Sequence, residues 1–336
     1  MPILCHSDLD GFVSALAVMA MHPITPKRVH HYSYASYRDD QWKKLLGGDN
    51  YGSKASLVAD TEDVWFVDLS LREGELEWAR KKQKPSVWHW VDHHTTSKDF
   101  QKPEEVFNHV ELILEEGYCA ADILFNTYLE TGARPHPTLA VWVALAHDRD
   151  LWIREHAALT LELTMLLRIK GFQKGGWAEI LEMAKIVQPA TMALKLRYEF
   201  EGEMKKYESS LKASNETAKV SEIAGIPVKL CYSSEAGYAS DISEKLYETG
   251  DEVIIILHVM GDGIVTCLRT RRDDVNLADM AQSLFDGGGH PKASGGRLNA
   301  KHIQGGYIAI GRDIKSFLEQ SAPTLENTKK AATKKG

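Results

Sequence analysis

Ile3-Leu4-Cys5-His6-Ser7-Asp8-Leu9-Asp10-Gly11 opens on a short apolar run and ends in two acids and a glycine, and the fold follows from how it is read. Ile3 to His6 has the length and composition of a buried strand, and Gly11 to Met21 carries apolar residues at helical spacing. A strand that runs directly into a helix predicts a parallel α/β sheet when the pattern repeats, and here it does. Working outward, Val29 to Tyr34, Val64 to Asp68 and Val87 to Asp92 read as strands, with helices over Arg72 to Lys82, Tyr118 to Glu130 and Thr138 to His147. From Trp177 to Ala213 the chain is rich in good helix formers with few breakers apart from Pro189. Beyond it, Ile226 to Tyr232, Val253 to Val259 and Ile264 to Arg269 read as strands, with helices near Ala239 to Glu248 and Leu277 to Phe285. The expected organisation is α/β throughout. A parallel-sheet domain over residues 1–180 has helices on both faces, and a helical linker covers 181–215. A smaller α/β domain follows over 216–322, then a disordered polar tail over 323–336.

With 336 residues, 43% of them hydrophobic, the chain can supply two cores. No stretch approaches the roughly 18 consecutive apolar residues of a membrane-spanning helix, and Met1-Pro2-Ile3-Leu4 leads into polar sequence without a signal-peptide core. The expectation is a soluble, cytoplasmic protein. Cys5, Cys119, Cys231 and Cys267 are far apart and form no C-x-x-C pair, which suits small buried hydrophobes in a reducing compartment. A formal net charge of -7 argues against a broad electrostatic grip on duplex DNA.

Polar clusters fall just past the apolar runs, where open parallel sheets form ligand sites. His6, Asp8 and Asp10 alternate, so an extended backbone points all three to one side. The bland account is an Asp-rich turn capping the next helix. Asp68 repeats the pattern after Trp65-Phe66-Val67, again with a helix cap as the ordinary reading. Asp92-His93-His94 is less ordinary, because adjacent histidines after an acid at a strand end have no evident packing purpose. Imidazole and carboxylate together suit manganese, zinc or iron. The fourth cluster, His147-Asp148-Arg149-Asp150 before Leu151-Trp152, stands at a helix end, where a solvated surface turn is the competing account.

In this order HSDLDG, WFVDLS, VDHHTT and AHDRDLW resemble the four motifs of DHH phosphoesterases, and GGGHPKASGG resembles the glycine-rich motif of their associated C-terminal domain, as in the oligoribonuclease branch. The likeness spans His6 to Gly296 and implies a two-metal centre. Asp68 would bridge, His6 and Asp8 would serve one metal, and Asp10, His94 and Asp148 the other, with Asp150 as the competitor of Asp148. Asp92 and His93 would support the site or touch substrate as catalytic groups. Two divalent cations are implied, manganese first and magnesium or cobalt as substitutes; such a pair activates water and polarises phosphoryl oxygens without a protein nucleophile.

In the second domain, Gly288, Gly289 and His290 read as a loop that lets a phosphate approach backbone amides, and the resemblance points to Arg269 as a phosphate contact. The implied activity is hydrolysis of short single-stranded RNA or DNA to mononucleotides by a monomer or homodimer. Within hydrolases the rivals are a cyclic or linear dinucleotide phosphodiesterase and a phosphoadenosine phosphate phosphatase. A non-catalytic nucleotide- or RNA-binding module is the rival of another class, and it predicts damaged ligands where this chain keeps every acid and histidine.

Overall fold

The computed structural model describes residues 1–32, 63–69, 87–94, 109–112, 117–260 and 263–332. The chain divides into two compact units, Met1–Glu201 and Gly202–Gly336.

In the first unit β1 (Ile3–His6), β2 (Val29–Tyr32), β3 (Val64–Val67), β4 (Trp88–Asp92) and β5 (His109–Leu112) form a wholly parallel sheet in the order β2-β1-β3-β4-β5. Register is set by Ile3 opposite both Val29 and Trp65, and by Val64 opposite Trp88. Ile3, Leu4 and Cys5 of β1, and every residue of β3, are buried. This is why these strands read as continuous apolar runs rather than alternating ones. The chain leaves β1 for β2 on one side and places β3 on the other. The order therefore reverses between β1 and β3, and the carboxyl ends of these two strands flank the crevice in which such sheets bind ligands.

Helix α1 (Leu9–Met21) follows β1 after a two-residue turn and packs against β1 and against α2 (Ala120–Glu130) and α3 (Pro137–Asp150). It is apolar on nearly all sides because it is buried on nearly all sides, from Leu9 to Met19. Phe12 anchors it, its ring 5.4 Å from Trp142 and 5.5 Å from Trp177. Gly11 allows its tight start, since a Cβ there would lie 2.2 Å from the His6 carbonyl oxygen. Three more helices, α4 (Ala157–Phe172), α5 (Gly176–Ala184) and α6 (Pro189–Lys195), complete the unit. Trp177, Ile180, Leu181, Met192 and Ala193 are buried, so the stretch read as the start of a linker packs as part of the first unit. Lys170, buried on α4, is held by Glu179 at 3.0 Å and Glu199 at 2.8 Å.

Helix α7 (Arg197–Thr217) leads into the second unit. There β6 (Lys219–Ile223), β7 (Ile226–Ser233), β8 (Val253–Met260), β9 (Gly263–Thr270), β10 (Gly288–His290) and β11 (Ala293–Arg297) form a mixed sheet in the order β10-β11-β9-β8-β7-β6, in which only β7 and β8 pair in parallel. Helices α8 (Ala239–Leu246), α9 (Leu277–Phe285) and α10 (Ala300–Ala332) accompany it. Val228, Val253, Ile255, Leu268, Met280, Phe285 and Ile314 centre its core.

Three differences from the sequence reading have physical causes. The glycine-rich stretch is not a loop: Gly288–His290 and Ala293–Arg297 pair as antiparallel strands. Glycines at Gly289 and Gly296 allow close backbone packing, since a Cβ on them would lie 2.8 Å from the Ala293 and 2.4 Å from the Phe285 carbonyl oxygen. The polar end is helical as far as Ala332, because its lysines, alanines and Glu326 are good helix formers that need no apolar stripe to be compatible with a helix. The strands β5 and β6 have no signature in the sequence, each being short and lacking an apolar run. The expected helix over Arg72 to Lys82 lies outside the described residues. No described helix is long and apolar enough to cross a membrane.

Candidate metal centre

The carboxyl ends of β1, β3 and β4 and the C-terminus of α3 bring their acids and histidines together. Past β1, Asp8 is the N-cap of α1 and accepts the Gly11 amide at 3.0 Å, so the ordinary capping account of this acid holds as far as one of its oxygens. Its other oxygen meets His6 Nδ1 at 2.6 Å. Asp10 lies in the first turn of α1, not on an extended strand, and its side chain is buried. Its two oxygens accept the amides of Ala120 and Ala121 at 2.9 and 2.8 Å, so the buried first-turn N–H groups of α2, which have no partner within the helix, hold it in place.

Asp68 sits at the middle. It is 1% exposed and adopts φ of 55°, a left-handed conformation uncommon for a non-glycine residue and frequent at functional positions. Oδ2 lies 3.8 Å from His6 Nδ1, while Oδ1 lies 3.6 Å from His93 Nε2 and 3.8 Å from His94 Nδ1. One carboxylate thus turns an oxygen to each of two groups, His6 with Asp8 and His93 with His94. A third group, Asp10, His93 and Asp150, shares His93 with the second. His93 Nε2 stands 3.7 Å from Asp10 and 3.4 Å from Asp150.

These separations and the state of the atoms test whether cations fit. Two donors each about 2.1 Å from one cation at near-tetrahedral or octahedral angles lie about 3.0 to 3.4 Å apart, close to the spacings around His93 and too long for good hydrogen bonds. Asp68 Oδ2 and His93 Nε2 are buried and have no hydrogen-bond partner among the described residues. Buried polar atoms are rarely left so, and two of them converging with carboxylates fit a cation site. The donor set, nitrogen with carboxylate oxygen, is the set that manganese and its neighbours take.

The electrostatics agree. Burial, and then the charges of Asp8, Asp10, Asp150 and Asp92, push the Asp68 carboxyl well above its ordinary range. Burial and the charge of Asp10 push Asp150 up to about 7. Asp10 is raised by burial, with Asp8 adding to the effect. For Asp8 the imidazole of His6 overcomes burial and holds the carboxyl well below the usual range. Burial would lower His94, but Asp92, 2.6 Å from Nδ1, raises it to about 9. Several carboxylates in one buried pocket repel one another as anions, and a bound cation would relieve that repulsion.

The fourth motif and the paired histidines are placed as follows. Asp148 belongs to none of the clusters: its carboxylate accepts the amides of Glu155 at 2.7 Å and His156 at 3.2 Å. Asp150 is the acid of this motif that faces His93, because two residues along a helix turn a side chain to the opposite side. His93, read as a supporting group, stands among Asp10, Asp68 and Asp150, whereas His94 is the nitrogen donor that Asp92 grips. Asp92, fully buried, orients it. A further cluster, Cys119 with Asp122 and His147, went unremarked in the sequence. Its atoms serve the capping of α2: Asp122 accepts the Cys119 amide at 2.9 Å and meets His147 Nδ1 at 2.7 Å.

In the second unit Arg269 donates to Ser240 Oγ at 2.9 Å and to the carbonyls of Leu268 and Ser294 at 2.8 and 3.3 Å. Gly288, Gly289 and His290 lie on β10; Gly288 and His290 are exposed, and Gly289 has φ of 140°.

The fold so described is that of DHH-domain proteins. Among solved structures it is similar to the DHH domain of a protein described as a member of a family of ribosomal proteins, with 15% identity and a TM-score of 0.59 over 94% of this chain and 86% of that one. It is also similar to a pGpG-specific phosphodiesterase from Vibrio cholerae, with 12% identity and a TM-score of 0.57 over 94% of this chain and 99% of that one. RecJ from Thermus thermophilus in complex with Mn2+ is similar at 15% identity and a TM-score of 0.56, covering 95% of this chain and 52% of the longer RecJ chain. No family model and no curated protein matches the sequence.

Proposed function

We propose that the chain is a metal-dependent phosphodiesterase that hydrolyses short single-stranded oligonucleotides to mononucleotides. The observation that carries this reading is Asp68, buried between two groups of nitrogen and oxygen donors with one carboxylate oxygen toward each. His6, Asp8 and Asp68 would hold one divalent cation; Asp10, Asp68, His93 and Asp150 would hold a second. When bound, such a pair lowers the pKa of water and polarises phosphoryl oxygens, which is how phosphodiesters are cleaved without a protein nucleophile. Manganese is favoured by the mixed donor set and is the ion held by one of the similar structures.

The protein's own part is placement. Asp10 is fixed by two helix amides, Asp8 by the turn it caps, and His94 by Asp92, so the donors are held before any substrate arrives. Within the second unit, Arg269 and the β10 residues Gly288, Gly289 and His290 are proposed as substrate-binding residues. The acidic balance of the chain favours short, flexible substrates over duplex. A linear dinucleotide is the second reading, favoured by the likeness to a pGpG-specific phosphodiesterase over nearly all of both chains.

The test is to incubate purified protein and manganese with labelled di- to decanucleotides, cyclic dinucleotides and phosphoadenosine phosphate. Release of mononucleotides is expected, with shorter chains cut faster, and Asp68→Asn should be slower by about a thousandfold or more, as for loss of a catalytic metal ligand. Turnover of none of these, or equal rates for Asp68→Asn and the parent, would refute the proposal.

A further inference from the structure

The cluster at the start of α2 shares no residue with the groups around Asp68 and His93, and the metal pair makes no use of it. Cys119, Asp122 and His147 each bring a donor atom within 4.8 Å of the other two. Cys119 is the N-cap of α2, Asp122 stands in its first turn, and His147 lies in the last turn of α3. The set therefore joins the start of one helix to the end of another.

Capping accounts for only part of this arrangement. Asp122 accepts the Cys119 amide at 2.9 Å and meets His147 Nδ1 at 2.7 Å, both through Oδ2, so the carboxylate and the imidazole each keep a second donor atom. The Cys119 sulfur accepts the Asp122 amide, but sulfur is a weak acceptor and cysteine is not among the residues preferred as caps. A serine or an aspartate would cap better in that place; what sulfur adds is affinity for soft metal ions. The set is also laid out for access. Cys119 is fully buried, whereas the side chains of Asp122 and His147 are 15% and 34% exposed, so an ion can arrive from solvent and settle on the sulfur. Donors on one tetrahedral zinc stand about 3.4 to 3.6 Å apart, a spacing this set reaches by small side-chain rotations.

We propose that Cys119, Asp122 and His147 bind one zinc ion in a third site beside the metal pair, with the fourth position left to water. The thiol gives its proton to solvent as the ion binds, and the Asp122 amide goes on donating to the thiolate. Sulfur separates this site from the pair, whose nitrogen and oxygen donors suit manganese. Its position gives it an effect on them: the amides of Ala120 and Ala121, next to Cys119, hold Asp10, and Asp150 lies three residues beyond His147. Zinc ties together the two helix ends that carry the clamp on Asp10 and Asp150. Zinc binding here is independent of which substrate the pair acts on.

Cobalt is the probe, because cobalt bound to a thiolate shows a near-ultraviolet charge-transfer band that nitrogen and oxygen ligands do not give. The full chain, saturated with manganese, is titrated with cobalt and then with zinc. The parent is expected to develop the band, saturating at one cobalt per chain, and zinc should abolish it by displacement. Cys119→Ser, which keeps a capping hydroxyl, should lose the band. Asp122→Asn and His147→Ala should each weaken cobalt binding about tenfold or more, the scale of losing a group that holds a metal. In Asp68→Asn the band should persist, so failure of the manganese pair reads out separately. If Cys119→Ser does not fold, judged by its thermal melt, His147→Ala, which lies outside the cap, carries the test. Absence of the band in the parent overturns the proposal. So does a band that survives Cys119→Ser or is lost in Asp68→Asn, or cobalt affinity equal to the parent's in both Asp122→Asn and His147→Ala.

Discussion

Asp148 accepts two amides of the turn after α3, while Asp150, two positions later, faces His93 at 3.4 Å. The two carboxylates should therefore fail in different ways. Asp148→Asn replaces one amide acceptor by a donor in a buried place and should cost about 1 to 3 kcal/mol of stability in denaturant titration, with manganese stoichiometry unchanged. Asp150→Asn should lose manganese while leaving the metal-free protein as stable as the parent or more so, because it removes one of several like charges in a pocket where burial and Asp10 already disfavour it. The opposite pattern would return the ligand role to Asp148. That His6, Asp8, Asp10, Asp68 and Asp92 gather in one place was legible in the sequence, because each lies just past an apolar run where a parallel sheet ends. The orientations of His93 and His94, and of Asp148 and Asp150, were not. They depend on the rotation of a strand end and a helix end, to which single-residue spacing is blind.

Among the elements, β1, β3, β4 and α1 were legible because burial on both sides leaves continuous apolar runs. The hairpin of β10 and β11 was not, since Gly288, Gly289, Gly295 and Gly296 give it the composition of a loop and close packing gives it the structure of a strand pair. The first turn of α1 couples fold to site most tightly. Gly11→Ala would place a methyl group 2.2 Å from the His6 carbonyl oxygen, between the cap Asp8 and the strand end. It should cost about 2 kcal/mol or more, in the upper range of overpacking effects, and weaken manganese binding with it. Asn276→Ala, which removes the cap of α9 in the second unit, should cost about 1 kcal/mol and leave manganese binding alone. Chemical denaturation and metal titration of both variants separate the two effects; equal loss of manganese binding in both would contradict this division.

For the molecule as a whole, charge in the pocket links stability to pH and to metal. The Asp150 carboxyl, raised to about 7, keeps its proton in the fold at pH values where an unfolded aspartate has lost it, so its contribution to stability falls as pH rises from about 3.8 through 7. His94, raised to about 9, contributes stability that is full below about 6.5 and is lost as pH rises through 9. Both run the same way. Chelated protein should therefore melt at a lower temperature at about pH 8.5 than at about pH 6.5, and manganese should raise the melting temperature more at the higher pH, where its ligands are already deprotonated. A pH-independent melt of the chelated protein would contradict this. The measurement that bears most directly on the central claim is the number of manganese ions bound per chain, by titration and elemental analysis, in the parent and in Asp68→Asn. Two ions in the parent, with affinity for both weakened when Asp68 loses its charge, is the predicted result. One ion or none in the parent, or two bound equally well without the Asp68 carboxylate, would contradict it.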